Sequence, residues 1–180
     1  GLCEMGGYVC GRKDLIEDIV QELYCPGLGK ENGATLGQNQ NIIQGFFMAP
    51  TVVASALKAM VFAAKLLENL GLDVFPKAED KRSDIVQIIN FHDKEKLIKF
   101  IQGIQYASAV DSNVVPMPWN MPGYADEVIM AAGTFMEGAS IELSADSPMR
   151  EPYAAYMQGG LSYESAKLAI LIATNKMLGE

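Results

Sequence analysis

Apolar residues recur at helical spacing in four stretches of this chain, and between them they cluster in short runs bounded by glycine, proline and asparagine. Arg12 to Tyr24 carries Leu15, Ile16, Ile19, Val20 and Leu23. Asp14, Glu17 and Asp18 occupy its first turns, where the helix dipole favours anions, and Cys25-Pro26-Gly27 ends it. The second stretch, Thr51 to Asn69, is rich in small residues (Ala54, Ser55, Ala56, Ala59, Ala63, Ala64), which predicts close packing against neighbouring elements. Pro50 predicts a kink or a fresh start at Thr51, and Gly71 a stop. Lys94 to Tyr106 is amphipathic, and Ser162 is placed to cap a last helix that reaches Leu178 and buries Ala166, Leu168, Ala169, Leu171 and Ile172.

The runs between these helices predict strands. Tyr8-Val9-Cys10 is short and flanked by glycines, Asp84 to Ile89 is β-rich, and Asn113 to Pro116 is extended. Val128 to Ala132 and Ala139 to Leu143, separated by Gly133 and Gly138, predict a hairpin or meander, and Tyr153 to Met157 makes a further strand before Gly159-Gly160. The expected architecture is an α+β layer, an antiparallel sheet with helices on one face. The polar run LDVFPKAEDKRSD, broken by Pro76, marks the boundary between the tail of one domain and a complete smaller one.

Composition narrows the function classes. Half apolar and one-fifth charged is the profile of a folded domain, and a net charge of −8 without a basic stripe argues against nucleic acid as partner. The longest apolar stretch, Phe46 to Leu70, is interrupted by Pro50, Lys58, Lys65 and Glu68, so it is expected to be a largely buried helix and not a bilayer span. Cys3, Cys10 and Cys25 are odd in number, lack CxxC spacing and accompany a single histidine, which suggests neither disulfides nor a metal site and points to a reducing cytoplasm.

The chemistry-bearing candidates are few. Arg150 lies in SPMREPY between Pro148 and Pro152, where the backbone is restricted, and a held guanidinium can grip a carboxylate through two parallel hydrogen bonds. An ordinary ion pair to Glu151 or Asp146 is the alternative. The loop PGLGKENGATLG has Gly27, Gly29 and Gly33 but follows a helix, so it fails the dinucleotide test, and Lys30 lacks the P-loop context. Exposed amides with Lys30 and Thr35 could still meet a phosphate; a plain glycine-rich turn is the other reading. His92, beside Asp93, is a cap or surface residue. VVPMPWNMPGY places Trp119 and Tyr124 among rigid groups of the kind that line pockets or pack cores. No GxSxG nucleophile context occurs.

Four blocks, GGYVCGRKDLIEDI, PGLGKENGATLGQNQNIIQGFFMAPTVVASALK, DSNVVPMPWNMPGY and IMAAGTFMEGASIELSADSPMREPYAAYMQGGLSYE, closely resemble the C-terminal part of the aluminium-resistance or methionine gamma-lyase-like family. These are fold-type I enzymes dependent on pyridoxal 5'-phosphate and related to cystathionine and methionine lyases. The resemblance covers nearly the whole chain. It implies an α/β protein overall: residues 1–72 as the end of a cofactor-binding large domain with its connecting helix, and 73–180 as a small α+β domain of antiparallel sheet plus helices. It also implies a Schiff-base lysine upstream of Gly1; none of the eleven lysines present sits in the matching motif, so no catalytic residue is nominated. Arg150 matches in topology the arginine that related lyases use to hold the substrate α-carboxylate, Ser108 in YASAVDS falls where they have a strand-end serine beside that carboxylate, and Thr35 lies in a segment that in the fold class approaches a neighbouring subunit's cofactor phosphate, with Lys30 and Gly33 in the same loop.

What the resemblance implies is a lyase that cleaves a carbon–sulfur bond of a sulfur-containing amino acid, working as a homotetramer of close dimers; the composition adds the expectation of a cytoplasmic protein without membrane, nucleic acid or metal. The alternative is a stand-alone α+β module that binds a small ligand or a protein and does no chemistry. A start at GLCEMGGYVCG, in mid-structure, and an apolar helix needing a larger domain to cover it favour the first.

Overall fold

The spacing of Leu97, Phe100, Ile101 and Ile104 gives one apolar helical face, and Asp93 supplies a cap. Its carboxylate accepts hydrogen bonds from the amides of Glu95 and Lys96, and its own backbone is extended. The computed structural model, which describes residues 9–24, 27–29, 37–131 and 142–179, accordingly forms a helix over the predicted Lys94–Tyr106. Asp93→Ala is expected to cost about 1 kcal/mol, read as a lower denaturant midpoint with an unchanged slope. His92 is exposed and only precedes the cap, its amide donating to the Pro152 carbonyl.

The described residues form four helices and five strands in the order α1 (Lys13–Leu23), α2 (Asn39–Asn69), β1 (Asp73–Phe75), β2 (Gln87–Asn90), α3 (Lys94–Tyr106), β3 (Val128–Ala131), β4 (Ser144–Pro148), β5 (Ala154–Gln158) and α4 (Tyr163–Leu178). All strands belong to one antiparallel sheet of order β1-β2-β5-β4-β3. Alternation sends Val74, Ile89, Ala155, Met157, Ala145, Ile129 and Ala131 to one face, where they join Phe100, Ile101 and Ile104 of α3, Ile170, Ala173 and Met177 of α4 and the alanines of α2 in a single core. The α+β layer expected from the sequence is therefore present, with helices on one face of the sheet.

Small residues permit the tight spots. A Cβ on Gly103 would lie 2.4 Å from the Ala173 Cα, so α3 and α4 meet backbone to backbone. On α4, Ser162 caps as expected, its hydroxyl accepting from the Ser165 amide, and Gly179 closes the far end in the left-handed conformation.

The chain divides into two compact units, Gly1–Ala49 and Pro50–Glu180. The division falls inside α2 and not at the polar run after it, because Ala56, Ala59, Met60, Ala63, Ala64 and Leu67 belong to the core of the second unit. Arg82 ties this part of α2 to β2: its guanidinium donates to the carbonyls of Met60 and Val86 and to the Gln87 side chain, and burial lowers its pKa.

Several expectations are corrected. Pro50 does not restart the helix; α2 runs through it. Nor is the stretch Phe46 to Leu70 largely buried, since Phe47, Met48, Val53 and Val61 are exposed and the buried residues of α2 begin at Ala56. By length and composition alone it is long and apolar enough to cross a bilayer. Val9 and Cys10 are irregular and exposed, with Tyr8 outside the described residues. Of the run Ala139 to Leu143, the described Glu142 and Leu143 are not strand; the strand is Ser144–Pro148, built from residues of poor β-propensity because β3 and β5 pair with it on both sides. Asn113, expected to be extended, lies in a turn in which the Val114 amide donates to the Asp111 carbonyl at 3.0 Å, residues 114–116 are not strand, and β1 had no predicted counterpart.

Candidate functional site

The turn from β4 to β5 places Arg150. The Arg150 amide donates to the Pro148 carbonyl at 2.9 Å, its carbonyl accepts from the Tyr153 amide at 2.8 Å, and Tyr153 takes a left-handed φ of 55° to close the turn. The guanidinium Nη1 donates to Asp126 Oδ2 at 3.1 Å. That partner is neither Glu151 nor Asp146, the two the sequence suggested, and lies 24 residues earlier, on the segment leading into β3. With side chains 67% and 36% exposed, the pair is worth about 1 kcal/mol or less, so a ligand carboxylate can displace Asp126 at little cost.

Arg150 borders a cavity of about 450 Å³ that it shares with Tyr124, Asp126, Met130, Asp146 and Tyr156. Its floor is the sheet face opposite the core that α3 and α4 cover. Register puts Phe75, Ile88, Tyr156, Asp146 and Met130 opposite one another, one per strand, in a row that crosses the sheet. Asp146 is the one charged member of that row.

Asp146 is half-buried and has no hydrogen-bond or ion-pair partner among the described residues, and burial pushes its carboxyl above the usual carboxylate range. The folded state therefore holds this proton more tightly than the unfolded chain does. The resulting stabilisation is present below the unfolded value of about 3.9 and is lost as pH rises through the raised folded one. Two residues along the same face, the Ser144 hydroxyl is also buried without a partner among the described residues.

Of the residues nominated from sequence, the structure brings Arg150 and Tyr124 together. Trp119 is not in the lining: its backbone exchanges two hydrogen bonds with Val128, at 3.1 and 3.0 Å, and so extends the sheet beyond the edge of β3. Ser108 follows the C-terminus of α3, not a strand end, its hydroxyl donating to the Ile104 carbonyl at 3.0 Å. It lines a separate cavity of about 200 Å³ with Leu143, Leu161, Ser162 and Ala169. Lys30, Gly33 and Thr35 lie outside the described residues. Asp126, Asp146 and Tyr156 were missed; the alternation in SADSP and AAYMQ would have put Asp146 and Tyr156 on one face, had β4 been located.

Pyridoxal phosphate is held by its enzymes through a lysine amine. No lysine lines the Arg150 groove or the Ser108 cavity, and the described lysines are exposed or, at Lys176, half-buried, so the described residues alone do not fit that cofactor.

Residues 1–178 match the sequence model of the methionine gamma-lyase family. The uncharacterized protein YnbB of Bacillus subtilis (strain 168) is 51% identical over 178 residues, covering 99% of this chain and 42% of that protein. A solved Listeria monocytogenes protein, provisionally assigned as a cystathionine beta-lyase involved in aluminum resistance, superposes with a TM-score of 0.91 at 47% identity, over 98% of this chain and 44% of its own. A carbon-sulfur lyase involved in aluminum resistance from Clostridium novyi NT gives 0.82 at 50% identity, over 89% and 37%. The chain thus spans less than two thirds of the length of these relatives. Matched from residue 1 to residue 178, it belongs to the methionine gamma-lyase family.

Proposed function

We propose that this chain is part of a pyridoxal-phosphate-dependent carbon–sulfur lyase acting on a sulfur-containing amino acid, with Arg150 binding the substrate carboxylate. The observation that carries the reading is the Arg150 groove: an arginine whose backbone is fixed by a closed turn and whose guanidinium is held by a weak exposed pair, beside a cavity of the size small ligands occupy. The names of the Listeria and Clostridium relatives supply the reaction class.

In this reading residues 1–72 end a cofactor-binding large domain, residues 73–180 form the small domain, and the Schiff-base lysine comes from sequence of the longer protein. The cofactor supplies the electron sink. This chain's part is to orient the substrate by its carboxylate, and Tyr124 and Tyr156 give apolar surface beside it. The assembly is a cytoplasmic homotetramer of dimers.

Arg150→Ala in the whole protein is expected to lower kcat/KM by roughly thirtyfold or more, the equivalent of about 2 kcal/mol or above. Steady-state kinetics with thioether amino acids makes the test. An unchanged kcat/KM would remove Arg150 from substrate binding.

A further inference from the structure

We propose that Asp146 is an ammonium-binding residue, and that Asp146 and Arg150 together receive the zwitterionic head of a free amino acid as it docks. The second half of this statement rests on the reading of Arg150 given above; the first does not.

The row of residues that crosses this sheet face and reaches the groove is apolar or aromatic at Phe75, Ile88, Tyr156 and Met130, and Asp146 interrupts it. A half-buried carboxylate in such a row is a net cost to folding unless something offsets it. Nothing among the described residues does. Arg150 lines the same cavity but is turned to Asp126, and Arg82 is committed to Met60, Val86 and Gln87, the last of these buried in β2. The carboxyl is displaced upward by desolvation alone, with no cation acting on it. The buried, unpartnered Ser144 hydroxyl, two positions along the same face, adds a second polar group left without a mate.

The complement of this arrangement is a small cation with apolar substance attached. A divalent metal is disfavoured, since the described residues contain no group of three His, Cys, Asp or Glu side chains able to hold one, and a hard cation needs six or more oxygens. A primary ammonium needs fewer. One carboxylate accepts its charged hydrogen bond, and Tyr124 and Tyr156, which line the same cavity, are aromatic neighbours for its positive charge and for the attached carbons. Because Arg150 borders the same 450 Å³ cavity, the molecule that satisfies both ends is an amino acid in its free, zwitterionic form. Met121 and Met130 give a soft apolar lining suited to a thioether side chain.

Three ligands separate the two ends: L-methionine, 3-(methylthio)propylamine, which lacks the carboxylate, and 4-(methylthio)butanoate, which lacks the ammonium. Titration calorimetry on the whole protein stripped of cofactor reads binding without chemistry. Asp146→Asn keeps the side-chain shape and removes a charge that burial disfavours, so the variant folds. It is expected to weaken methionine and the amine at least tenfold and to leave the butanoate within about twofold. Arg150→Ala is expected to do the reverse, weakening methionine and the butanoate and sparing the amine. An amine that binds Asp146→Asn as tightly as the unaltered protein, or that does not bind the unaltered protein, overturns the assignment of Asp146. A butanoate indifferent to Arg150→Ala overturns the carboxylate reading and with it the zwitterion, while a tenfold loss of amine binding in Asp146→Asn would still support the ammonium contact.

Discussion

Phe100→Ala lowers the unfolding free energy by about 4 kcal/mol, the largest loss expected of any single core truncation here. The ring is fully buried, its centroid is 5.2 Å from that of Phe91 with the planes tilted by 48°, and it lies where α3 meets the sheet. Truncation removes the transfer contribution of the ring and leaves a void. The neighbours around it, Leu97, Ile101 and Ile104, sit on a helix that Gly103 locks against α4 and cannot sink to fill the space. Urea unfolding should show a lower midpoint with an unchanged slope. A loss under about 1 kcal/mol would mean that the α3 face is not the centre of the core.

Gly159→Ala should cost about 3 to 5 kcal/mol for a different reason. Gly159 has a φ of +95°, in the region closed to most side chains, and an added Cβ would fall 1.8 Å from the carbonyl oxygen of Glu142 and 2.6 Å from its carbon. Both obstacles are backbone, so no rotamer change relieves them. The segment before β4 or the end of β5 must move, and these strands carry the groove. Calorimetric melting of the variant is the check. A melting temperature within two or three degrees of the unaltered protein would contradict the close approach.

α1, α3 and α4 were legible because each carries its signals locally. Asp93 and Ser162 cap their helices as their positions suggest, and the spacing of Leu97, Phe100, Ile101 and Ile104 gave both the type and the bounds of α3. Strands were legible where the composition was apolar, as at Val128–Ala131. Ser144–Pro148 was not, since Ser-Ala-Asp-Ser-Pro has no β-propensity of its own and becomes a strand by being paired on both edges. Pro50 misled because a proline within a helix removes one hydrogen bond, a loss that the rest of α2 can bear. At the groove, Arg150 stood out through its prolines, whereas Asp126, Asp146 and Tyr156 became visible only with the register, which no local pattern encodes. The exposed half of α2 was misjudged because apolar content says that a surface wants covering, not that this chain covers it.

The order of strands carries a hazard during synthesis. β2 lies next to β5, and its partner residues leave the ribosome roughly 65 residues later, some 3 to 13 seconds behind at ordinary translation rates. Through that interval the open edge of Gln87–Asn90, with Ile88 and Ile89 at its centre, offers unpaired amides and carbonyls to any strand nearby, including the same segment of another nascent copy. Slower elongation between β2 and β5 should therefore raise the aggregated fraction, and a chaperone that shields short apolar segments should lower it.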